Sequence, residues 1–485
     1  MEKISSAAFT DTKPHYDLLD GLRGVAALIV IWYHVFEGFA FASAGNIETL
    51  NHGYLAVDFF FILSGFVIGY AYDDRWGKNF TMKDFFKRRL IRLHPMVIMG
   101  AVLGAITFCI QGCVQWDGTH VAISMIMLSL LCTIFFIPAM PGVGYEVRGN
   151  GEMFPLNGPC WSLFFEYIGN ILYALFIRRL SNKALAVLVV MLGMALASFA
   201  VFNVSGYGNM GVGWTLDGVN FLGGTLRMLF PFSLGMLMSR NFKPMKVNGA
   251  FWICTIILIA LFSVPYLEGL EPICMNGIYE AFCVIVVFPF LVWLGASGTT
   301  TDKQSTKICK FLGDISYPVY VVHYPLMYLF YAWLIENKLY TLGETWYVAV
   351  GVFVLSVILA CLCLKLYDEP VRKWLTKKEI LEKLLSFSEE LRQHYEIYQL
   401  LLFHFQEKNS DHFFSLIEQE IATVNPIFQT VLKTFLKDKD KVLNAMELPY
   451  SNAKLEATNN LIKVIKRNAF GFRNFENFKK RILIA

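Results

Sequence analysis

The chain has 485 residues, of which 56% are hydrophobic and 16% charged, with a formal net charge of +4. Soluble domains carry about 25% charged residues, so an ordinary soluble fold is excluded, and a net charge this small implies no polyanionic partner for the chain as a whole. The ten cysteines are scattered, with no CxxC pair, and the close pair Cys361 and Cys363 lies in an apolar run. They read as buried apolar side chains rather than disulfides or metal ligands.

The first 17 residues are polar and the first apolar run is too long for a signal-peptide core, so no cleaved leader is expected. Apolar runs follow near 18–40, 53–72, 94–112, 121–139, 159–177, 183–203, 219–239, 248–266, 275–296, 315–335 and 345–367. A bilayer-spanning helix needs about 20 apolar residues, so each run is a candidate. Loop charge reduces the number, because Lys and Arg in short loops stay cytoplasmic. Lys78, Lys83, Lys87, Arg88, Arg89 and Arg92 follow the second run. Arg178, Arg179 and Lys183 form another basic loop, as do Arg240, Lys243 and Lys246, and then Lys303, Lys307 and Lys310. The segments QGCVQWDGTH, NVSGYGNMGVGWTLDG and PYLEGLEPICMNG contain no Lys or Arg. Eleven crossings would invert every basic loop after the fifth run. Dropping 121–139 as a full crossing, to make it re-entrant or let it lie along the outer face, puts all basic loops on one side. The prediction is an all-α polytopic bundle of about ten transmembrane helices in the cytoplasmic membrane, with both termini cytoplasmic.

Ionisable groups at membrane depth cost about 2.5 kcal/mol or more on insertion scales and usually mark function or a buried pair. His34 lies within the first run, in its outer half. Imidazole titrates near neutrality, so it is a candidate base or acid, with helix packing as the plainer role. Asp58 sits just below the outer surface in the second run. Glu166 lies one turn deeper than Trp161 and Ser162 in the fifth. Either carboxylate can orient His34. In FFKRRLIRLHP, Arg88 and Arg92 are four apart and share a helix face, while Arg89 points elsewhere. This pair reads as a positive-inside anchor or as an anion clamp, since guanidinium groups bind phosphate bidentately. Arg227 is buried in a later run. His323 lies between Pro318 and Pro325, which free backbone carbonyls. Because its run heads outward, His323 is placed in the inner half. There is no HExxH and no phosphate-cradling Gly-rich motif, and no metal is expected. Buried charges also mark transport paths, so a transporter of a sugar or acyl precursor is the alternative, though no inverted repeat is evident.

The blocks LDGLRGVAALIVIWYH, GYLAVDFFFILSGFVI, FFKRRLIRLHP, WSLFFEYIGN, LGDISYPVYVVHYPL and YDEPVRKWL, in that order, together resemble the membrane-bound acyltransferase 3 family over roughly residues 15–375. The resemblance implies O-acylation of a cell-surface carbohydrate hydroxyl from an acyl-CoA donor, acetyl-CoA by default. It implies His34 as the catalytic histidine, oriented by Glu166 or Asp58. Arg88 and Arg92 would fall on the family's paired arginines, with Arg227 and His323 also at favoured positions on the donor side. Met96 departs from the pattern, where the family has a tyrosine-like residue.

After Trp374 the character changes. Residues 376–485 are charged and helical by period, as in EILEKLLSFSEELRQHYEIYQLLLF, so a small soluble helical domain is expected to follow a transmembrane domain over 1–375. Its end, YSNAKLEATNNLIKVIKRNAFGFRNFENFKKRILIA, mixes bases with aromatics, a composition that suits weak nucleic-acid contact or simply a solvated face. Roughly residues 380–485 resemble the end of ISL3-type transposases, with Glu456 on the last acidic position of the DDE set. The two aspartates that set requires lie upstream in such enzymes, where this chain has the membrane domain. The tail is therefore expected to be catalytically inert.

Overall fold

The computed structural model describes residues 16–45, 51–76, 80–267, 273–299, 303–376, 385 and 388–447. The chain divides into two units at Leu375 and Thr376, and each is described by itself.

The first unit is an all-α membrane bundle. Its helices are α1 (Asp17–Ala42), α2 (Ala56–Tyr72), α3 (Met82–Ile110), α4 (Ile123–Ile134), α5 (Cys160–Leu175), α6 (Asn182–Val201), α7 (Gly218–Asn241), α8 (Ala250–Phe262), α9 (Met275–Phe282), α10 (Phe288–Ser297), α11 (Lys303–Asn337), α12 (Leu342–Cys363) and α13 (Glu369–Leu375). One π-helical turn, Cys283–Val287, joins α9 to α10 and another, Leu364–Asp368, joins α12 to α13. Among the described residues nine helices are long and apolar enough to cross a membrane.

The 13-residue α8 is shorter than a bilayer is thick, yet its two ends reach opposite ends of the bundle. Just before it, β1 (Val247–Asn248) pairs in parallel with β2 (Gly298–Thr299), and Gly298 packs against Leu18 at the start of α1. Just after it, Val264 accepts from the His52 backbone N–H at 3.2 Å, beyond the end of α1. Thus α8 covers the same distance as α1, with extended residues completing the crossing. The helix α4 does the opposite. Val121 before it bonds to Cys113, and Ala139 after it bonds to Met153, which in turn bonds to Trp214. Both flanks therefore lie at one end. Between them Phe136 reaches Tyr167 (4.8 Å between ring centroids) and His94 (6.1 Å), near the middle of α3. The run at 121–139 is re-entrant. Its exposed Ile123, Met127, Leu131 and Phe135 suit a lipid-facing side, while its returning backbone is held by protein, as irregular chain at membrane depth must be.

Two close helix contacts set the frame of the site. A Cβ on Gly24 of α1 would lie 2.3 Å from the Leu312 carbonyl oxygen of α11. Likewise Gly65 of α2 abuts Phe232 of α7, and Gly235 of α7 abuts Ile62 of α2. Small residues let helix backbones approach where lipid supplies no hydrophobic drive. In α11, Pro325 has no N–H for the Val321 carbonyl; Asn157 fills the gap, its Nδ2 donating to that oxygen at 2.9 Å.

In the second unit α14 (Glu389–Gln406), α15 (Ser410–Glu420), α16 (Pro426–Lys437) and α17 (Lys439–Glu447) enclose their own core. Ile397, Leu401 and Phe405, four apart on α14, bury against Phe413, Ile417 and Leu432, which is the amphipathic period read from the sequence. Glu456 lies outside the described residues.

Candidate active site

His34 is on α1, about two turns before its end, and its Nδ1 lies 2.7 Å from Glu37 Oε2. A carboxylate accepts, so Nδ1 carries the proton and Nε2 keeps its lone pair. Residues three apart share a helix face, and the dyad is thus built within a single turn. Glu37 is held further by Tyr331 (2.9 Å), Tyr33 (3.3 Å) and Tyr324 (3.4 Å), whose hydroxyls donate to it. Its side chain is 32% exposed and that of His34 14%, so both face open space. The expected orienting residues are elsewhere: neither Asp58 nor Glu166 bonds to His34, because each is consumed by an arginine.

Asp58 on α2 and Arg227 on α7 form one ion pair, with Nη2 to Oδ2 at 2.6 Å and Nε to Oδ1 at 3.1 Å. Their side chains are 0% and 1% exposed. Arg227 also donates to the carbonyls of Val212 (2.8 Å) and Tyr54 (3.4 Å) and lies over the Trp161 ring. Each of its three nitrogens has a partner, and the pair ties α2 to α7 about two turns from where their glycines meet. Glu166 on α5 accepts from Arg89 Nη2 at 2.6 Å and from Ser64 Oγ at 3.0 Å.

His323 stacks on His34, 5.2 Å between ring centroids at 29°. The two histidines therefore lie at one level, which corrects the inner-half placement of His323. The reason is where α11 begins: it starts at Lys303, well before the apolar run near 315, and Gly21 and Gly24 of α1 lie against Cys309 and Leu312, so His323 is as deep as His34. Nδ1 of His323 donates to the Val319 carbonyl at 3.0 Å, while its buried Nε2 has no hydrogen-bond partner among the described residues.

His34 and Glu37 open onto a cavity of about 260 Å³. One wall is a tyrosine ladder on α11, Tyr324, Tyr328 and Tyr331, and Tyr33, Tyr54 and Tyr320 add to it. Trp116, Trp161 and Trp214 close the cavity with Asn150 and Glu152. The segments 111–159 and 202–217 supply Trp116, Glu152 and Trp214, so the cavity lies toward the end of the bundle opposite the basic loops.

At the other end Arg92 is surrounded by Arg23, Asp20, Arg372 and Arg89. Arg23 pairs with Asp20 and donates to Ser316 at 3.2 Å; Arg372 pairs with Asp368 at 2.5 Å. No ion pair reaches Arg92 among the described residues. Arg88 does not join it: both residues are exposed, but the Arg88 guanidinium lies 5.5 Å from the Phe80 ring. Sequence spacing assigned the inward face to Arg88 and Arg92, but the helix turns Arg89 inward to Glu166, and Arg92 groups with Arg89. Glu37, Arg89 and the tyrosine ladder were missed. Glu37 was legible in principle, as a carboxylate one turn from the histidine in the same apolar helix.

Residues 16–365 match the acyltransferase-domain family, and the chain belongs to it. Residues 369–482 match the ISL3 transposase family. A Rhizobium radiobacter protein, protein 2 of the picA locus, is 35% identical over 193 residues, 38% of this chain and 95% of that one. The peptidoglycan O-acetyltransferase of Listeria monocytogenes is 26% identical over 331 residues, 64% of this chain and 49% of that one. A Lactococcus lactis protein described as an ATP-dependent protease is 44% identical over 110 residues, 23% of this chain and 35% of that one. The chain thus spans about half the length of the peptidoglycan O-acetyltransferase it matches and about a third of the Lactococcus protein. No solved structure matches it.

Proposed function

We propose that the membrane unit transfers an acyl group, acetyl by default, from acyl-CoA to a hydroxyl of a cell-surface carbohydrate. The observation that carries this reading is the His34–Glu37 dyad on the wall of an aromatic cavity at one end of the bundle, with Arg92, which has no ion-pair partner among the described residues, at the other. The positive-inside tendency of short loops supports a cytoplasmic side for Arg92 and for both termini, in the cytoplasmic membrane. There the donor's phosphates would meet Arg92, with Arg89 and Arg23 beside it. The acceptor enters the cavity from the opposite face, its C–H faces packing on the tyrosine and tryptophan rings.

His34 Nε2 takes the proton of the acceptor hydroxyl as its oxygen attacks the thioester carbonyl carbon. Glu37 holds the ring through Nδ1 and stabilises the imidazolium that forms. The C–S bond breaks, and the imidazolium proton passes to the departing thiolate, giving the ester and free CoA. Such base assistance is typically worth about 10²–10⁴-fold. The Asp58–Arg227 pair takes a structural part, bracing α2 against α7.

The test is radiolabelled acetyl-CoA supplied to membranes containing the protein together with glycan acceptors. Alkali-labile label on glycan, lost in a folded His34→Ala variant, supports the reading. Wild-type transfer by that variant overturns it. Uptake without covalent transfer would favour transport instead.

A further inference from the structure

At the far end of the tyrosine ladder the cavity carries a second carboxylate that the acyl-transfer chemistry leaves unused. The Tyr324 ring lies 4.7 Å from the His34 ring, and the Tyr328 ring lies 4.7 Å beyond Tyr324. The Tyr328 hydroxyl donates to Glu152 Oε2, and Asn150 Nδ2 donates to Oε1 at 2.8 Å. The backbone around Glu152 is fixed as well: it bridges Thr215, and Met153 N–H donates to the Trp214 carbonyl at 2.9 Å. A carboxylate offers about four lone-pair sites, so Glu152 has capacity left after these two bonds, and it lines the cavity.

The charges around the cavity are lopsided. Glu37 and Glu152 both line it, and among the described lining residues Arg227 is the sole cation, its guanidinium already given to Asp58. Arg148 stands behind Tyr328, 3.6 Å from its ring centroid, where Gln111 (2.5 Å) and the Pro155 carbonyl (3.0 Å) hold it out of the lining.

We infer that Glu152 is a positioning residue for the acceptor: it accepts a hydrogen bond from a second hydroxyl or an ammonium group of the sugar seated on the tyrosine ladder, and it makes the cavity select neutral and amino sugars over uronic acids. This rests on the reading that the cavity takes the acceptor. Its physical basis is that a uronate in the cavity meets Glu37 and Glu152 with no free cation among the described lining residues to pair it, Arg148 acting only from behind Tyr328, while a hydroxyl or ammonium donor facing a held carboxylate gains a charge-assisted bond.

The test uses the detergent-solubilised full chain at pH 8 and three tetrasaccharides: chitotetraose (neutral), the glucosamine tetramer (amino) and a hyaluronan tetrasaccharide (uronic). Trp116, Trp161 and Trp214 line the cavity, so quenching of tryptophan fluorescence reads binding directly, with acetyl transfer measured in parallel. Hyaluronan should bind at least about tenfold more weakly than the other two, as like-charge repulsion requires. Glu152→Gln should weaken the glucosamine tetramer about tenfold and bring hyaluronan within about threefold of chitotetraose. Glu152→Asp should restore the order in part. The inference is overturned if none of the three binds, if hyaluronan binds as well as chitotetraose, or if a folded Glu152→Gln protein keeps the wild-type order. Should Glu152→Gln not fold, the wild-type order and Glu152→Asp decide. Wild-type binding in the expected order with no transfer to any glycan sinks the acyltransferase reading and leaves the role of Glu152 standing.

Discussion

The two ends of the membrane bundle solve opposite problems. At the end without basic loops, the dyad is local: His34 and Glu37 are one helical turn apart, and tyrosines from a neighbouring helix complete it. At the basic end the arginines come from three helices, Arg23 from α1, Arg89 and Arg92 from α3 and Arg372 from α13, and all but Arg92 have a carboxylate. A reacting group gains from being fixed within one rigid element. An anion site gains instead from a cation left without a partner. The contrast extends to Arg227, which is as deeply buried as any side chain here but saturated by Asp58 and two carbonyls. Burial of an arginine therefore does not by itself identify a ligand site.

Breaking the local end should have the largest effect. His34→Ala should lower the rate of acetyl transfer by about 10²–10⁴-fold, read as label on glycan at saturating acetyl-CoA, with the protein still folded. Glu37→Gln should cost less and displace the pH–rate profile. A Glu37→Gln enzyme with the wild-type profile would show that the carboxylate does not act through His34.

The saturated arginine should answer in stability rather than in substrate affinity. Arg227→Ala leaves the Asp58 carboxylate buried and alone, a change that costs about 3–5 kcal/mol. Thermal unfolding in detergent should register it as a large loss. The double variant Asp58→Asn with Arg227→Met should recover part of it, since removing both charges removes the orphan.

The unpaired arginine should answer in donor affinity. Arg92→Ala should raise the KM for acetyl-CoA about tenfold with little change in kcat, the size of one lost charge-assisted contact. Arg88→Ala should stay within about twofold, because its guanidinium lies by the Phe80 ring, apart from the other arginines. The reverse ranking would restore Arg88 as the contact.

The smallest effect belongs to Glu152. Burial pushes its carboxyl up to about 7, against bonds from Tyr328 and Asn150 and the charge of Arg148, which pull it down. A carboxyl whose folded value is raised adds stability that is fully present below its unfolded value, about 4.5, and fades as pH rises through about 7. The wild-type melting temperature should therefore contain a decline between those pH values that Glu152→Gln lacks. Parallel curves for the two proteins would show that this carboxyl does not titrate there.

Much of this was legible in the chain. Apolar run length and loop charge sufficed for an all-α bundle and for removing 121–139 from the crossings, because both follow from the cost of putting charge or unbonded backbone into lipid. The same cost picked out His34, Asp58, Glu166, Arg92, Arg227 and His323 as residues with something to explain. Pairing was not legible. Glu166 and Asp58 were placed beside His34 by depth, but depth says nothing about azimuth, and the packing of α2 on α7 and of α3 beside α5 handed each to an arginine. His323 was misplaced in depth because depth was counted from the apolar run near 315, whereas α11 begins at Lys303. A sequence states which polar groups sit in the membrane, since transfer energy depends on residue type alone. Which of them meet, and which guanidinium is left without a carboxylate, depends on the rotation and offset of each helix, and those are fixed only by close contacts such as Gly24 against Leu312 and Gly65 against Phe232.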